Sequence, residues 1–67
     1  RMTIRLNGKD HAITESVSVE SLLESIGLGD KPVVVELNKE ALFPREYSTS
    51  MLEKDDQLEI IIIAAGG

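Results

Sequence analysis

The sequence predicts an α+β fold: a mixed sheet of four to five strands with one main helix packed across one face. Three observations carry that reading. Alternating apolar residues precede Asn7-Gly8, a dipeptide suited to a two-residue hairpin; one apolar stripe at helical spacing runs from Val19 to Ile26; and β-rich stretches follow it to the end of the chain. A hairpin, a crossover helix and further strands suit a sheet that contains a parallel pair, because parallel neighbours need such a crossover. A ferredoxin-like arrangement would need a second amphipathic helix, and none is visible. The 67 residues read as a single domain without linker, repeat or low-complexity tract.

Met2, Ile4 and Leu6 alternate with Thr3 and Arg5, the period of a half-buried strand. After the Asn7-Gly8 turn, Lys9 to Thr14 returns as its antiparallel partner. The Val19, Leu22, Leu23, Ile26 spacing places one apolar stripe on a helix. Ser18 is its expected N-cap, Val17 and Leu22 form a hydrophobic staple, and Glu20 sits where the helix dipole favours an anion. Gly27 ends the helix in the left-handed region, with Leu28 folding back onto Leu23. Beyond the loop Gly29-Asp30-Lys31-Pro32, the β-branched run Val33 to Leu37 is a strand, Asn38-Lys39 a turn, and Ala41 to Phe43 a short returning strand stopped by Pro44. Arg45 to Met51 has no firm period. Lys54-Asp55-Asp56 forms a polar turn, and Gln57 to Ala64 is the strongest strand pattern in the chain.

Composition narrows the function classes. A domain of this length buries only about 60% of its unfolded surface, leaving little room for a closed catalytic cleft. With no cysteine there is no disulfide, thiol nucleophile, persulfide or CxxC pair on the chain. A net charge of −5 disfavours nucleic acid, whose phosphates need Lys and Arg, and tolerates a basic protein partner; an acidic surface also simply keeps a small domain soluble. No apolar run approaches the roughly 20 residues of a membrane span, and no signal-peptide core follows Met2, so a cytoplasmic location is expected.

The candidate chemistry lies at the end of the chain. A hydrophobic strand leads into Ala64-Ala65-Gly66-Gly67, which holds the tail at its root and leaves a thin, permissive tip. Terminal residues are commonly frayed and small in any protein, so the glycines alone are weak evidence. A flexible tail over 64–67 is expected. His11, on an expected edge strand without a second His or Cys, reads as a solvated side chain. Asp55-Asp56 reads as turn chemistry, the serines of Ser16 to Ser21 and Ser48 to Ser50 as caps and turns, and no metal site is expected. Arg45 either meets an acidic group of a partner or bonds local carbonyls. In the last strand Leu58, Ile60 and Ile62 share one face. Glu59, Ile61 and Ile63 share the other, and Glu59 turns that face toward solvent. Ile61 and Ile63 beside the tail are therefore candidate docking residues; a covering of that face by Arg45 to Met51 is the competing reading.

From Val35 onward the chain resembles the sulfur carriers of the ThiS family, which are β-grasp, ubiquitin-like proteins. The shared features are Asn38 after an apolar strand, Pro44-Arg45, the acidic Asp55-Asp56 turn before the last strand, and the ending Ala65-Gly66-Gly67. The Asn7-Gly8 hairpin and the Val17 to Ile26 helix extend the likeness more loosely, and Arg1 departs from it, which makes Met2 the expected start. The resemblance implies a carrier and not an enzyme. Its terminal Gly67 would be adenylated with ATP by a partner, an adenylyltransferase of the ubiquitin-activating type, and converted to a thiocarboxylate with sulfur from a donor such as a cysteine desulfurase system. Ala64, Ala65, Gly66 and Gly67 would enter the partner, and the sulfur would pass to thiazole synthase. The carrier itself would bind no cofactor. The alternatives are a carrier like the small subunit of molybdopterin synthase, a protein modifier joined through its terminal glycine, and a plain binding module.

Overall fold

The computed structural model describes residues 2–64. Five strands form one mixed sheet in the order β2-β1-β5-β3-β4. Strand β1 (Met2–Leu6) pairs antiparallel with β2 (Lys9–Ile13) in the register Leu6↔Lys9, so that Asn7 and Gly8 alone form the turn. Their φ values of 50° and 82° are the paired positive angles that a two-residue hairpin needs to match the twist of its strands.

Helix α1 (Val19–Ser25) starts and stops where its sequence directs. The Ser18 hydroxyl accepts the Ser21 N–H at 3.0 Å. At the other end Gly27 has φ 83°, the Leu28 N–H donates to the Leu23 carbonyl at 2.8 Å and the Gly27 N–H to the Glu24 carbonyl at 3.1 Å, the two bonds of a Schellman ending. Val19, Leu22 and Leu23 on the helix, Ile4, Val35 and Leu58 from the sheet, and Leu52 from the loop before β5 (Gln57–Ile62) make up most of the buried core. Each such side chain contributes roughly 1.5–3 kcal/mol by leaving water.

The parallel pair is β1 with β5, so the first and last strands lie side by side within the sheet. Asn7 extends that junction beyond the ladder: its N–H donates to the Leu58 carbonyl at 2.9 Å and its Oδ1 accepts the Ile60 N–H at 2.8 Å. β3 (Val33–Leu37) pairs with β5 on the other side, antiparallel.

Four boundaries differ from expectation. β2 ends at Ile13, and β4 spans Glu40–Leu42, one residue before the expected stretch. The Phe43 N–H donates to Glu46 Oε1 at 2.8 Å instead of a neighbouring strand, and Pro44 has no N–H, so the chain leaves the ladder there and makes a 3₁₀ turn over Pro44–Glu46. β5 ends at Ile62 and not at Ala64, because past Val33 there is no strand left to pair with.

The segment after the 3₁₀ turn docks on the start of α1. Tyr47, Ser50 and Leu52 exchange backbone bonds with Glu20, Val19 and Val17 at 2.8–3.0 Å. This segment therefore lies on the helix side of the sheet and does not cover the opposite face. Partial burial beside the helix raises the Tyr47 phenol above its ordinary value of 10.0. The folded state thus holds that proton more tightly than the unfolded one. Its contribution to stability is complete below the ordinary value and is lost as pH rises through the folded one. Tyr47 is the only tyrosine and there is no tryptophan. The phenolate absorbance of the native protein is expected to titrate with a midpoint above that of the urea-unfolded chain; coincident midpoints would place the ring in free solvent.

Candidate functional site

The site is built on β5, the strand that leads into the tail. β1 pairs with it only at Gln57 and Leu58, and the Asn7 side chain meets it at Ile60, whereas β3 follows it to Ile62. A last backbone bond, from the Ile63 N–H to the Pro32 carbonyl at 2.9 Å, fixes the direction of the chain as it leaves the sheet. Ala64 is exposed and outside regular structure. The rest of the expected flexible tail over 64–67, namely Ala65, Gly66 and Gly67 with the expected modification at Gly67, lies outside the described residues.

On the sheet face away from α1, Ile61 is 58% and Ile63 49% exposed, with Glu59 also exposed. This is the outward alternation that Glu59 indicates. Ile62 departs from the pattern. It shares a face with the buried Leu58 and Ile60, yet it is 57% exposed, because β5 has by then outrun the core.

Two residues that sequence reasoning did not place there complete an apolar row. Val34 is the register partner of Ile61, and continuing the β3–β4 register one step beyond Val35↔Leu42 sets the extended Phe43 beside Val34. All three are exposed, so Val34 on β3, Ile61 on β5 and Phe43 just past the end of β4 form an apolar band. The Arg45 guanidinium lies 4.6 Å from the Phe43 ring centroid, a cation–π contact that neither sequence reading of Arg45 names. The unbroken run Val33-Val34-Val35 hides which valine faces out. Phe43 next to Pro44 carried a signal, since an aromatic that closes a strand beside a proline is poorly placed for a core. Two residues along each strand from the row, Glu36 and Glu59 stand directly opposite each other on the same face.

The remaining candidates sit elsewhere. His11 is half-buried on edge strand β2 and lines a cleft of about 350 Å³ between β2 and α1, with Ile13, Val17 and Leu22 around it. The Asp56 carboxylate is engaged in its own turn, accepting Asn38 Nδ2–H at 3.1 Å and the Glu53 N–H at 2.8 Å, while Asn38 Oδ1 accepts the Gln57 N–H at 2.9 Å. Among the described residues no group of three ligating side chains is positioned to hold a metal ion, and no helix is long and apolar enough to cross a membrane.

Comparison with known proteins adds to this geometry. The profile of the ThiS family matches residues 4–67. The crystal structure of a thiamine biosynthesis protein, ThiS, from Geobacter metallireducens superposes with a TM-score of 0.84 at 29% identity, covering 98% of this chain and all of that one. A thiazole synthase of Paramagnetospirillum magneticum is 32% identical over 66 residues, which are 98% of this chain but only 20% of that protein, so the chain spans about a fifth of its length. An uncharacterized protein, ycf40, of Porphyra purpurea is 27% identical over 98% of this chain and 93% of its own.

Proposed function

The chain belongs to the ThiS family, and from that membership we propose that it is a sulfur carrier of thiamine biosynthesis whose reactive group is the carboxylate of Gly67. The observation that carries this reading is a family match that continues through Ala65-Gly66-Gly67, immediately beyond a strand held in the middle of the sheet. A carboxylate is a poor electrophile. In the proposed sequence its oxygen attacks the α-phosphorus of ATP on an adenylyltransferase of the ubiquitin-activating type, and pyrophosphate leaves. The terminal sulfur of a persulfide, from a donor such as a cysteine desulfurase system, then displaces AMP to give an acyl disulfide, and a thiol reductant cleaves its S–S bond to release the thiocarboxylate. The resulting thiocarboxylate delivers sulfur for formation of the thiazole ring. The carrier catalyses none of these steps and holds no cofactor; ATP belongs to the partner.

The chain's own contribution is presentation. Four extended residues span about 13–14 Å, so Ala64 to Gly67 reach into a narrow channel while the body stays outside, docked through Ile61, Ile63 and the Arg45–Phe43 pair. The thiazole pathway is favoured over molybdopterin synthesis by two similarities, to a thiamine biosynthesis protein and to a thiazole synthase that carries a segment like this whole chain. An intact-mass spectrum of the protein from cells tests the reading. One oxygen replaced by sulfur is expected; isopeptide-linked larger species would indicate a modifier, and an unchanged mass in cells starved of thiamine would remove the carrier role.

Docking has its own test. Covering one isoleucine contributes roughly 1.5–3 kcal/mol, so Ile61→Ser and Ile63→Ser are each expected to raise the adenylyltransferase's KM for the carrier about ten- to a hundredfold. Unfolding midpoints should move little. A large loss of stability with unchanged KM would assign these residues to packing.

A further inference from the structure

The open face carries, beside its apolar band, two carboxylates whose placement needs explaining. Glu36 and Glu59 are register partners in the β3–β5 ladder, two residues along each strand from the Val34↔Ile61 pair, so all four side chains project from the same side of the sheet. Like charges set directly opposite each other in a ladder are destabilising. Charges on edge strands commonly serve to prevent sheet-to-sheet association. That does not apply here, because β5 and β3 are interior strands of the order β2-β1-β5-β3-β4.

Nor do the described residues neutralise the pair. Arg5, on the same face of β1, directs its guanidinium to the Gly8 carbonyl at 2.7 Å and to Asp10 at 3.5 Å. Arg45 lies on the Phe43 ring, and Lys39 occupies the β3–β4 turn with φ 71°. Among the described residues neither Glu36 nor Glu59 has an ion-pair partner. Glu36 is half-buried, so any group that covers the apolar row also shields this carboxylate from water.

We propose that the face is a composite docking surface for a partner protein that presents a basic side chain, an arginine fitting best, flanked by apolar groups. The cation seats between Glu36 and Glu59 while the apolar groups cover Ile61, Val34 and Phe43. A guanidinium carries enough planar donors to bond two carboxylates at once, and a desolvated interface strengthens those bonds relative to water. The apolar band supplies affinity that many surfaces could match. The paired carboxylates select the partner and set its orientation, and so the direction in which the tail enters it. This inference rests on the docking reading above and specifies the chemistry of the occupant.

The test uses the isosteric variants Glu36→Gln and Glu59→Gln, singly and together, with the full-length carrier and the adenylyltransferase of the same organism. Dissociation constants are measured at low and high salt alongside urea unfolding. Each single variant is expected to weaken binding about tenfold at low salt and to keep most of that deficit at high salt, because a pair shielded within the interface is screened little, while the unfolding midpoint stays level or rises because the repulsion is relieved. Opposite directions for binding and stability are the signature. Unchanged binding of the double variant, with Ile61→Ser still weakened, would overturn the cation and leave the apolar docking site standing. Equal binding by all these variants would remove the face altogether. A weakened double variant whose unfolding midpoint also falls in proportion would overturn the proposal in favour of a structural role. Failure of the protein to acquire sulfur in cells speaks to the carrier reading alone, since the binding measurement does not depend on it.

Discussion

Deleting Gly67 is expected to reduce sulfur loading at least a hundredfold while leaving the unfolding transition where it was. The shortened chain still ends in a glycine carboxylate, so the chemistry alone does not forbid reaction. Geometry does. With β5 fixed by Asn7 on one side and by β3 on the other, the distance from docked body to reactive carbon is set by the number of tail residues. Losing one withdraws the carboxylate by about 3.3–3.6 Å. A misplacement of even ~1 Å at a reacting centre costs on the order of 10²-fold, because bound reactants must sit at near-attack separation. The buried core of the described residues and β5, which ends at Ile62, do not include Gly67, so its removal takes nothing from either. The measurement is ATP–pyrophosphate exchange catalysed by the adenylyltransferase, with intact mass as the second readout. A truncated chain loaded at the full rate would mean that the tail is not a measured probe and that Gly67 is not the modified residue.

The fold was legible in the sequence wherever one local segment contains its own instructions. Asn7-Gly8 requires two positive φ values, and Ser18 and Gly27 mark both ends of a helix whose apolar stripe has only one way to face a sheet; all appear where expected. The strand order was not legible. That β1 and β5 pair in parallel depends on contacts such as Asn7 Oδ1 to the Ile60 N–H, between residues 53 apart in the chain, and no periodicity encodes them. The 3₁₀ turn was missed because Pro44 signals that a strand stops without saying what replaces it.

The site was legible by halves. Alternation along β5 sets Ile61 and Ile63 outward, but it also groups Ile62 with the core, and only the length of the neighbouring strand reveals that Ile62 lies past the end of the packing. The contribution of Val34 and Phe43 is a cross-strand property. Val34 lies on β3 and Phe43 just past the end of β4, so no periodicity within the last strand points to either. Among the described residues, the sheet is covered by one helix on one side, and its other side holds the exposed Val34, Phe43, Ile61 and Ile63 and two carboxylates without an ion-pair partner. Such a surface detracts from solubility and stability in isolation, which supports the docking role proposed for it.

Leu58→Ala is expected to unfold a large part of the population at 37 °C, in contrast to Ile61→Ser three residues along the same strand. Leu58 is fully buried, pairs with Leu37 on β3 and Leu6 on β1, and its carbonyl accepts the Asn7 N–H at 2.9 Å. It therefore stands where the two halves of the sheet join beneath α1. Buried Leu→Ala changes cost about 2–5 kcal/mol, the upper part of that range where surrounding groups cannot close the gap. Here Ile4, Leu22 and Leu52 are themselves fully buried and held by a strand, a helix and a loop tied to that helix, so closure would have to disturb all three. A domain of this size without disulfide or metal commonly has only ~5 kcal/mol in total, and a loss of 3–4 kcal/mol is most of that. Ile61→Ser removes a side chain that is already more than half exposed, and its cost should stay within about 1 kcal/mol. Urea unfolding followed by circular dichroism separates the two, with equal slopes and a much lower midpoint for Leu58→Ala. The functional consequence also differs in kind: the loading defect of Leu58→Ala should follow the unfolded fraction and recover on cooling toward ~15 °C, where stability is near its maximum, whereas that of Ile61→Ser should persist at every temperature at which the protein is folded. A cost below 1 kcal/mol for Leu58→Ala, or a loading defect that cooling fails to relieve, would mean that β5 is not held by this core.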